Sequence, residues 1–555
     1  MSPLLRNRLL DRHEALIIFS LGVLLLLPGI WCETGITGQD EYWLSFRTPM
    51  ETMEHNGWFT PWVNGEPRLK KPPLLYWAIQ LTYELLGISL FAARIWGVFS
   101  GAALASCSAL LYRVLFKKSG ILAGLITLAT ITVAVEGRRA MLDLPLAFFT
   151  CMGVFFALKW GKSGSIWWIL LAALSLGLSF LTKGPVGIIL FGVAAVSALF
   201  IFKKWSYVLS RIPQVVLGLG FFLAVSLPWP IAMASLWPGF LKVVNSEVAA
   251  RGIGGFHIGS SFSTLGGAFG LVFPWSLLLA AALIRAVCRA RHAQDNRALN
   301  DLWLSAWFLG CVVPFFFIGT FARYMTPLIP AACVLCAGWL EQVEGAWKTW
   351  LLRVSACLLA LVAVPFCLFF VWFGQGKVMA LICLFVVGLM LWITFKKNEV
   401  RMTAFTAALL FCLMLGGLYP TLGINAMPAN IPDIVGSAPV AAFNSSQPSM
   451  LSIRLKRSAV RIRSFNRDDL CRLKSLDGFV FVREGDIEIF ERVARELGIF
   501  FERAGRFKTF YSRQAWIRFV REDASANDWK RAIETRSLAD LRPTICFYRV
   551  HPNQD

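Results

Sequence analysis

The sequence predicts an all-α polytopic membrane protein that ends in a small α/β domain. Three observations carry that expectation. Hydrophobic residues make up 57% of the 555, only 16% are charged, and mean hydropathy is +0.62; a soluble chain of this size carries about 25% charged residues. Apolar runs long enough to cross a bilayer recur from Ala15 to about Pro420 and then stop. Lys and Arg cluster in every second loop between those runs, the bias that cytoplasmic loops show.

The first run, which ends in "LLLLPGIWC", resembles a signal peptide with a cleavage site before Cys32. Cleavage needs small residues before the cut and Trp31 is the largest available, so residues 14–31 are read as a retained span. Twelve further spans follow at 91–115, 120–137, 143–160, 165–182, 185–202, 213–233, 264–284, 302–319, 326–342, 352–373, 378–395 and 403–420. Residues 74–87 lie between Pro-Pro and Gly87 and are short for a crossing, so they are read as an interfacial helix. With Arg6, Arg8 and Arg12 inside, the cytoplasmic loops hold Lys117/Lys118, Lys203/Lys204/Arg211, Arg285/Arg289/Arg291, Lys348/Arg353 and Lys396/Lys397/Arg401. About 13 spans then place residues 32–90, the first long loop, and the C-terminal domain on the periplasmic side of a bacterial inner membrane.

Two domains result: residues 1–420 in the membrane, and residues 421–555 as a linker followed by the α/β domain. The linker, 421–450, is rich in Pro, Asn, Ala and Ser. Beyond it, "FVFVREGDIEIFERVARELGI" reads as strand, turn and helix, with Phe490, Val493, Ala494 and Leu497 on one helical face. "PTICFYRV" reads as a strand with Ile545, Phe547 and Arg549 on one side and Cys546 and Tyr548 on the other. This domain is expected to cover or select an acceptor, or else to pack on the membrane region. Nine of the 13 cysteines sit in predicted spans, where Cys acts as a small apolar residue. A Cys471–Cys546 disulfide is open to the other domain in an oxidising compartment.

Net charge is +21. Nucleic acid is the usual partner of a basic chain, but charge that orients membrane helices, or that lies outside the membrane, fits anionic lipid headgroups and phosphorylated glycolipids instead. No nucleic-acid partner is expected.

Ionisable residues near a membrane are costly and mark function or pairing. On the predicted outer side they are Asp40 and Glu41 after the first span; Arg68, Lys70 and Lys71 before the interfacial helix; Arg138, Arg139 and Asp143 between the third and fourth spans; Lys183 after the fifth; Glu247, Arg251 and His257 after the seventh; and Arg323 with Tyr324 at the tenth. Such a set suits transfer from a phosphate-linked lipid donor. Cations stabilise the charge that grows on a departing phosphate, for which Lys71, Lys183, Arg251 and Arg323 are candidates. A carboxylate can orient or deprotonate the nucleophile; Asp40 is the first choice, with Asp143 beside Arg138 and Arg139 as their organiser. Each residue also has a plain structural reading: carboxylates start helices, and Lys and Arg at membrane ends reach for headgroups.

These segments together resemble a known family. "NGWFTPWVNGEPRLKKPPLLYW", "RRAMLDLPLAFF", "FLTKGPVG", "FLKVVNSEVAARG" and "GTFARYMTPLIPA" look like the GT-C glycosyltransferases, and within them the protein mannosyltransferase-like branch that includes bacterial lipid A aminoarabinose transferases. The resemblance covers residues 1 to about 345. It implies transfer, with inversion, from an undecaprenyl-phosphate sugar to an envelope acceptor such as a lipid A phosphate. It also implies Asp40 and Asp143 as catalytic carboxylates. Lys71, Arg138, Lys183, Glu247, Arg251, Arg323 and Tyr324 would bind the donor phosphate and substrate, with Glu41, Arg68 and Lys70 supporting the acceptor or the loop. Lys70 stands where the family has a Glu, Gln39 where it has a Pro and Val248 where it often has a His. The Glu and His changes remove metal ligands, so a divalent metal is compatible with the resemblance and not required by the sequence.

Rival readings are transfer to another envelope glycan or to a protein hydroxyl, a polytopic transporter or flippase, and a structural assembly protein. A transporter would place charges at mid-membrane depth and show paired repeats with broken helices; here charges gather at span ends.

Overall fold

The computed structural model describes residues 3–249, 258–290, 295–317, 321–512 and 519–552. Among the described residues every predicted span falls mainly on helix, with breaks at 27–31, 129–130 and 271–275. Eight helices among the described residues are long and apolar enough to cross a bilayer alone, and a ninth crossing forms if Ile212–Ser226 and Pro228–Leu236, bent by 41°, make one broken span. Pro228 and Pro230 are sufficient cause for that kink. The other four predicted spans fall on shorter or interrupted apolar helices.

In chain order the first half of the bundle runs α1 (Pro3–Leu26), then α2 (Arg47–Glu54), α3 (Leu74–Leu86), α4 (Leu90–Phe116), α5 (Ile121–Leu128), α6 (Ile131–Glu136), α7 (Asp143–Ser163) and α8 (Ile166–Lys183). Between α2 and α3 lies a two-stranded hairpin, β1 (Trp62–Val63) and β2 (Glu66–Pro67). Asn64 and Gly65 form its two-residue turn, both at positive φ (56° and 66°), as a turn matched to strand twist requires. At 13 residues α3 spans about 20 Å, too short for a bilayer core. Its Leu75, Tyr76, Ile79 and Tyr83 are buried while Leu81, Leu85 and Leu86 are exposed, an amphipathic pattern consistent with the interfacial reading.

Close backbone approach sets the geometry near α4. A Cβ at Gly97 would lie 2.4 Å from the Arg139 carbonyl oxygen, so a small residue there lets the α6–α7 connection rest on α4. The far end of the bundle collects a second charge group. Glu14 pairs with Arg113 (3.1 Å), and Glu341 with Lys118 (3.8 Å) and Arg401 (3.9 Å). Lys118 and Arg401, which loop charge assigns to the same side of the membrane, thus meet on Glu341.

The C-terminal sheet has five strands in the order β4-β3-β5-β7-β6: β3 (Val440–Phe443), β4 (Val460–Ile462), β5 (Gly478–Arg483), β6 (Phe500–Lys508) and β7 (Thr544–His551). β3 is parallel to both β4 and β5, whereas β7 is antiparallel to β5 and β6. On β7, Cys546 and Tyr548 face one apolar cluster with Phe490, and Ile545 and Phe547 face another with Phe479 and Phe481. The alternation expected for this strand therefore holds, with both faces covered. The stretch 421–450 is more than a linker, because β3 lies inside it and joins β4 to the rest of the sheet. Cys471 and Cys546 are both free thiols.

Candidate active site

α7 begins with Asp143 and α8 ends with Lys183. The two helices form an antiparallel pair joined by a tight turn at Gly164 (φ 68°), so the N-terminus of one lies level with the C-terminus of the other. A carboxylate is favoured at the first position and a cation at the second. Lys183 Nζ is 2.5 Å from Asp143 Oδ1, and both side chains are almost fully buried. A 3₁₀ stretch, Ala322–Leu328, adds the third member. Arg323 places Nε 3.6 Å from Asp143 Oδ2 and Nη2 3.9 Å from Asp40 Oδ1. Lys183 Nζ sits 3.6 Å from the Tyr324 ring centroid, a cation–π contact strengthened by exclusion of water. Five residues singled out from sequence, drawn from four distant segments, thus converge. Asp40 is the accessible member: its side chain is 38% exposed against 2% for Asp143.

Asp40 is held by its neighbour. Glu41 is wholly buried, pairs with Arg94 at 3.0 Å, and accepts the N–H groups of Gly38 (2.5 Å) and Ala140 (2.8 Å). Arg94 also donates to the carbonyls of Ile30 and Cys32 and to the Thr37 hydroxyl. Glu41 thus ties the first loop to α4 and to the α6–α7 connection. Breaking a fully buried pair on one side costs about 3–5 kcal/mol, whereas replacing both partners by apolar groups can be neutral. Arg94→Met is expected to lower thermal stability in detergent strongly, and Arg94→Met with Glu41→Leu to recover most of the loss; an unshifted melting curve for the single variant would refute the assignment.

A second ion pair links the first loop to the helix Phe240–Ala249, which follows the bent pair Ile212–Ser226 and Pro228–Leu236: Lys71 Nζ is 2.7 Å from Glu247 Oε1. Arg68 Nε donates to the Tyr76 hydroxyl at 2.9 Å. Burial pushes the Tyr76 phenol up, Arg68 opposes this, and the Asp40 carboxylate adds to it, so Tyr76 bridges the neighbourhoods of the two groups. Lys70 is exposed. Trp62 stacks on His55 at 4.1 Å, and the Trp77 indole donates to the Trp58 carbonyl.

The structure separates Arg138 from this assembly. Its guanidinium donates to the carbonyls of Leu25, Pro28 and Ala134 (2.6–3.2 Å), satisfying the C-terminal end of α1. Asp143 is accordingly partnered by Lys183 and Arg323, not by Arg138 and Arg139. Arg139 pairs with Glu136 at 2.7 Å. Arg251 and His257 lie outside the described residues. Arg94 and Glu136 went unnoticed in the sequence, although a charge inside an apolar run is itself the signal. Among the described residues no group of three His, Cys, Asp or Glu side chains could hold a metal ion.

Comparison with known proteins gives partial sequence matches and a match in fold. Residues 70–229 match the family described as dolichyl-phosphate-mannose-protein mannosyltransferase. An uncharacterized protein of Aquifex aeolicus (strain VF5) is 30% identical over 156 residues, 26% of this chain and 34% of that one. An undecaprenyl phosphate-alpha-4-amino-4-deoxy-L-arabinose arabinosyl transferase of Pectobacterium carotovorum is 24% identical over 366 residues, 62% of this chain and 61% of that one. The chain thus spans less than two thirds of the length of either relative. The crystal structure of ArnT from Cupriavidus metallidurans bound to undecaprenyl phosphate superposes with a TM-score of 0.69 at 19% identity, covering 97% of both chains. The chain is a multi-pass membrane protein that shares the fold of that ArnT structure and is similar in sequence to the arabinosyl transferases.

Proposed function

We propose that the chain is an inverting glycosyltransferase. It moves a sugar from undecaprenyl phosphate to an envelope glycolipid at the periplasmic face, with a lipid A phosphate as the lead acceptor. About 13 crossings, a cytoplasmic N-terminus and a periplasmic C-terminal domain belong to the same reading. The convergence of Asp40, Asp143, Lys183 and Arg323 carries it, supported by the arabinosyl transferase activity for which the Pectobacterium relative is named and by the undecaprenyl phosphate bound to the structural neighbour.

The chemistry follows from charge. In the inner cluster Lys183 and Arg323 are already matched by Asp143 and Asp40. Beside Lys71 stand Arg68 and Lys70, so cations exceed the Glu247 carboxylate there, and the donor phosphate binds at that end. As the bond from the anomeric carbon to the phosphate oxygen breaks, those cations take up the growing negative charge. The acceptor oxygen forms the new bond from the opposite face, and undecaprenyl phosphate leaves. An ionised phosphate acceptor needs no base, so Asp40 orients it through Arg323. A hydroxyl acceptor would give its proton to Asp40.

Loss of one charge-assisted contact is worth about 1.5–3 kcal/mol, or about 10- to 100-fold. Lys71→Ala is therefore expected to weaken undecaprenyl-phosphate binding by that factor with the fold intact. Mass spectrometry of lipid A and envelope glycans, from cells with and without the gene and with Lys71→Ala restored, reads the consequence. An unchanged glycan profile on deletion would sink the proposal.

A further inference from the structure

One buried carboxylate joins both halves of the site to the C-terminal domain. Glu51 is 4% exposed. Its Oε1 accepts from Arg47 Nη2 (2.9 Å) and from the Ser458 hydroxyl (2.8 Å), and its Oε2 accepts the Gly65 N–H (3.1 Å). Arg47 is on α2, reached from Asp40 through the single turn Glu41–Ser45; Gly65 is in the hairpin turn that leads to Arg68 and Lys71. Ser458 belongs to the sheet domain. Three segments that share no secondary structure therefore meet on one side chain.

Arg461, three residues beyond Ser458, completes the joint. Its backbone N–H donates to Asn64 Oδ1 (3.2 Å), an oxygen that also accepts from the Arg47 guanidinium. Its own guanidinium lies 3.8 Å over the ring of Trp43, inside the turn that follows Asp40. The Ser458 N–H reaches Glu54 Oε1 at 3.0 Å. Beneath, Met450 and Ile453 of the sheet domain share a buried cluster with Phe46, Met50 and Ile79. Two outlying ion pairs, Arg454–Glu33 (3.0 Å) and Arg472–Glu66 (3.2 Å), are more exposed and contribute little.

We propose that Glu51, Ser458 and Arg461 are positioning residues: the sheet domain clamps the first loop from both sides of Glu51 and so sets where Asp40 stands relative to Lys71. None of the three touches the reacting atoms. The proposal rests on the transfer reading above, and a misplacement of about 1 Å at a reacting centre costs on the order of 100-fold in rate.

The test uses the full-length chain in lipid nanodiscs. Hydrogen exchange over residues 41–54 is compared with exchange in β5 and β7, and kcat and donor KM are measured with an undecaprenyl-phosphate-linked sugar. Ser458→Ala and Arg461→Ala are expected to speed exchange over 41–54 at least tenfold and to leave β5 and β7 protected. They lower kcat at least tenfold and shift donor KM less than threefold, while Ser458→Thr restores both readouts. Unchanged exchange over 41–54, or faster exchange with kcat intact, overturns the proposal. If the wild-type chain transfers no sugar, the functional reading is what fails, and the exchange arm alone decides whether the clamp exists.

Discussion

Replacing Lys183 by Met is expected to lower transfer about 100-fold, because Asp143 and Arg323 then shift beside Asp40 and a misplacement of about 1 Å costs on the order of 100-fold, and also to destabilise the chain. The two effects share a cause. Lys183 and Asp143 are 4% and 2% exposed at the side chain and stand 2.5 Å apart, so removing the cation leaves a buried carboxylate whose remaining neighbour, Arg323, is 3.6 Å away. One-sided loss of such a pair costs about 3–5 kcal/mol. Stability and activity then part company in the double variant. Lys183→Met with Asp143→Asn removes both charges and should recover much of the thermal stability, since coupled residues are non-additive, yet its transfer should stay low. Measuring melting temperature and transfer on both singles and the double separates the roles. Recovery of transfer in the double variant would make the pair scaffolding only.

Asp40→Asn is expected to separate the two effects: transfer falls about 100-fold or more while the melting temperature barely moves. The side chain is 38% exposed and its ion contact to Arg323 is 3.9 Å long, and substitutions at such sites usually stay within about 0.5 kcal/mol. Under the proposed function its effect on rate is larger, because an orienting or proton-accepting group contributes about 10²–10⁴-fold. Assaying the variant with a phosphorylated acceptor and with a hydroxyl acceptor distinguishes orientation from base catalysis. A variant that keeps full turnover on both would remove Asp40 from the reaction.

Most of the site was legible because a charge at the end of an apolar run is conspicuous, and because alternation of loops sends alternate ends to one side. That logic brought together Asp40, Asp143, Lys183, Arg323 and Tyr324. It had no means of separating Arg138 from Arg139. Adjacent residues beyond a helix end carry the same sequence signature, yet Arg138 turns to the carbonyls of α1 and Arg139 to Glu136. Nor did it reveal that Lys71 is engaged by Glu247, since such pairing depends on where a loop and a helix 176 residues apart meet. Arg94 and Glu136 were overlooked for another reason: single charges inside otherwise apolar runs were averaged away.

In the C-terminal region, β5, β7 and the helix Ile487–Glu496 could be read from their periodicity. β3 could not, because "VAAF" is short and has no alternation to show: all four residues are buried. Hydropathy and loop charge were enough to determine a polytopic helical membrane protein with a small mixed domain, because the bilayer imposes the same demand on every crossing independently. Which side chains became scaffold and which stayed accessible was decided only by the tertiary structure. Glu41 and Asp40 are neighbours of like chemistry, and a buried carboxylate is tolerable only where a partner such as Arg94 arrives from another helix.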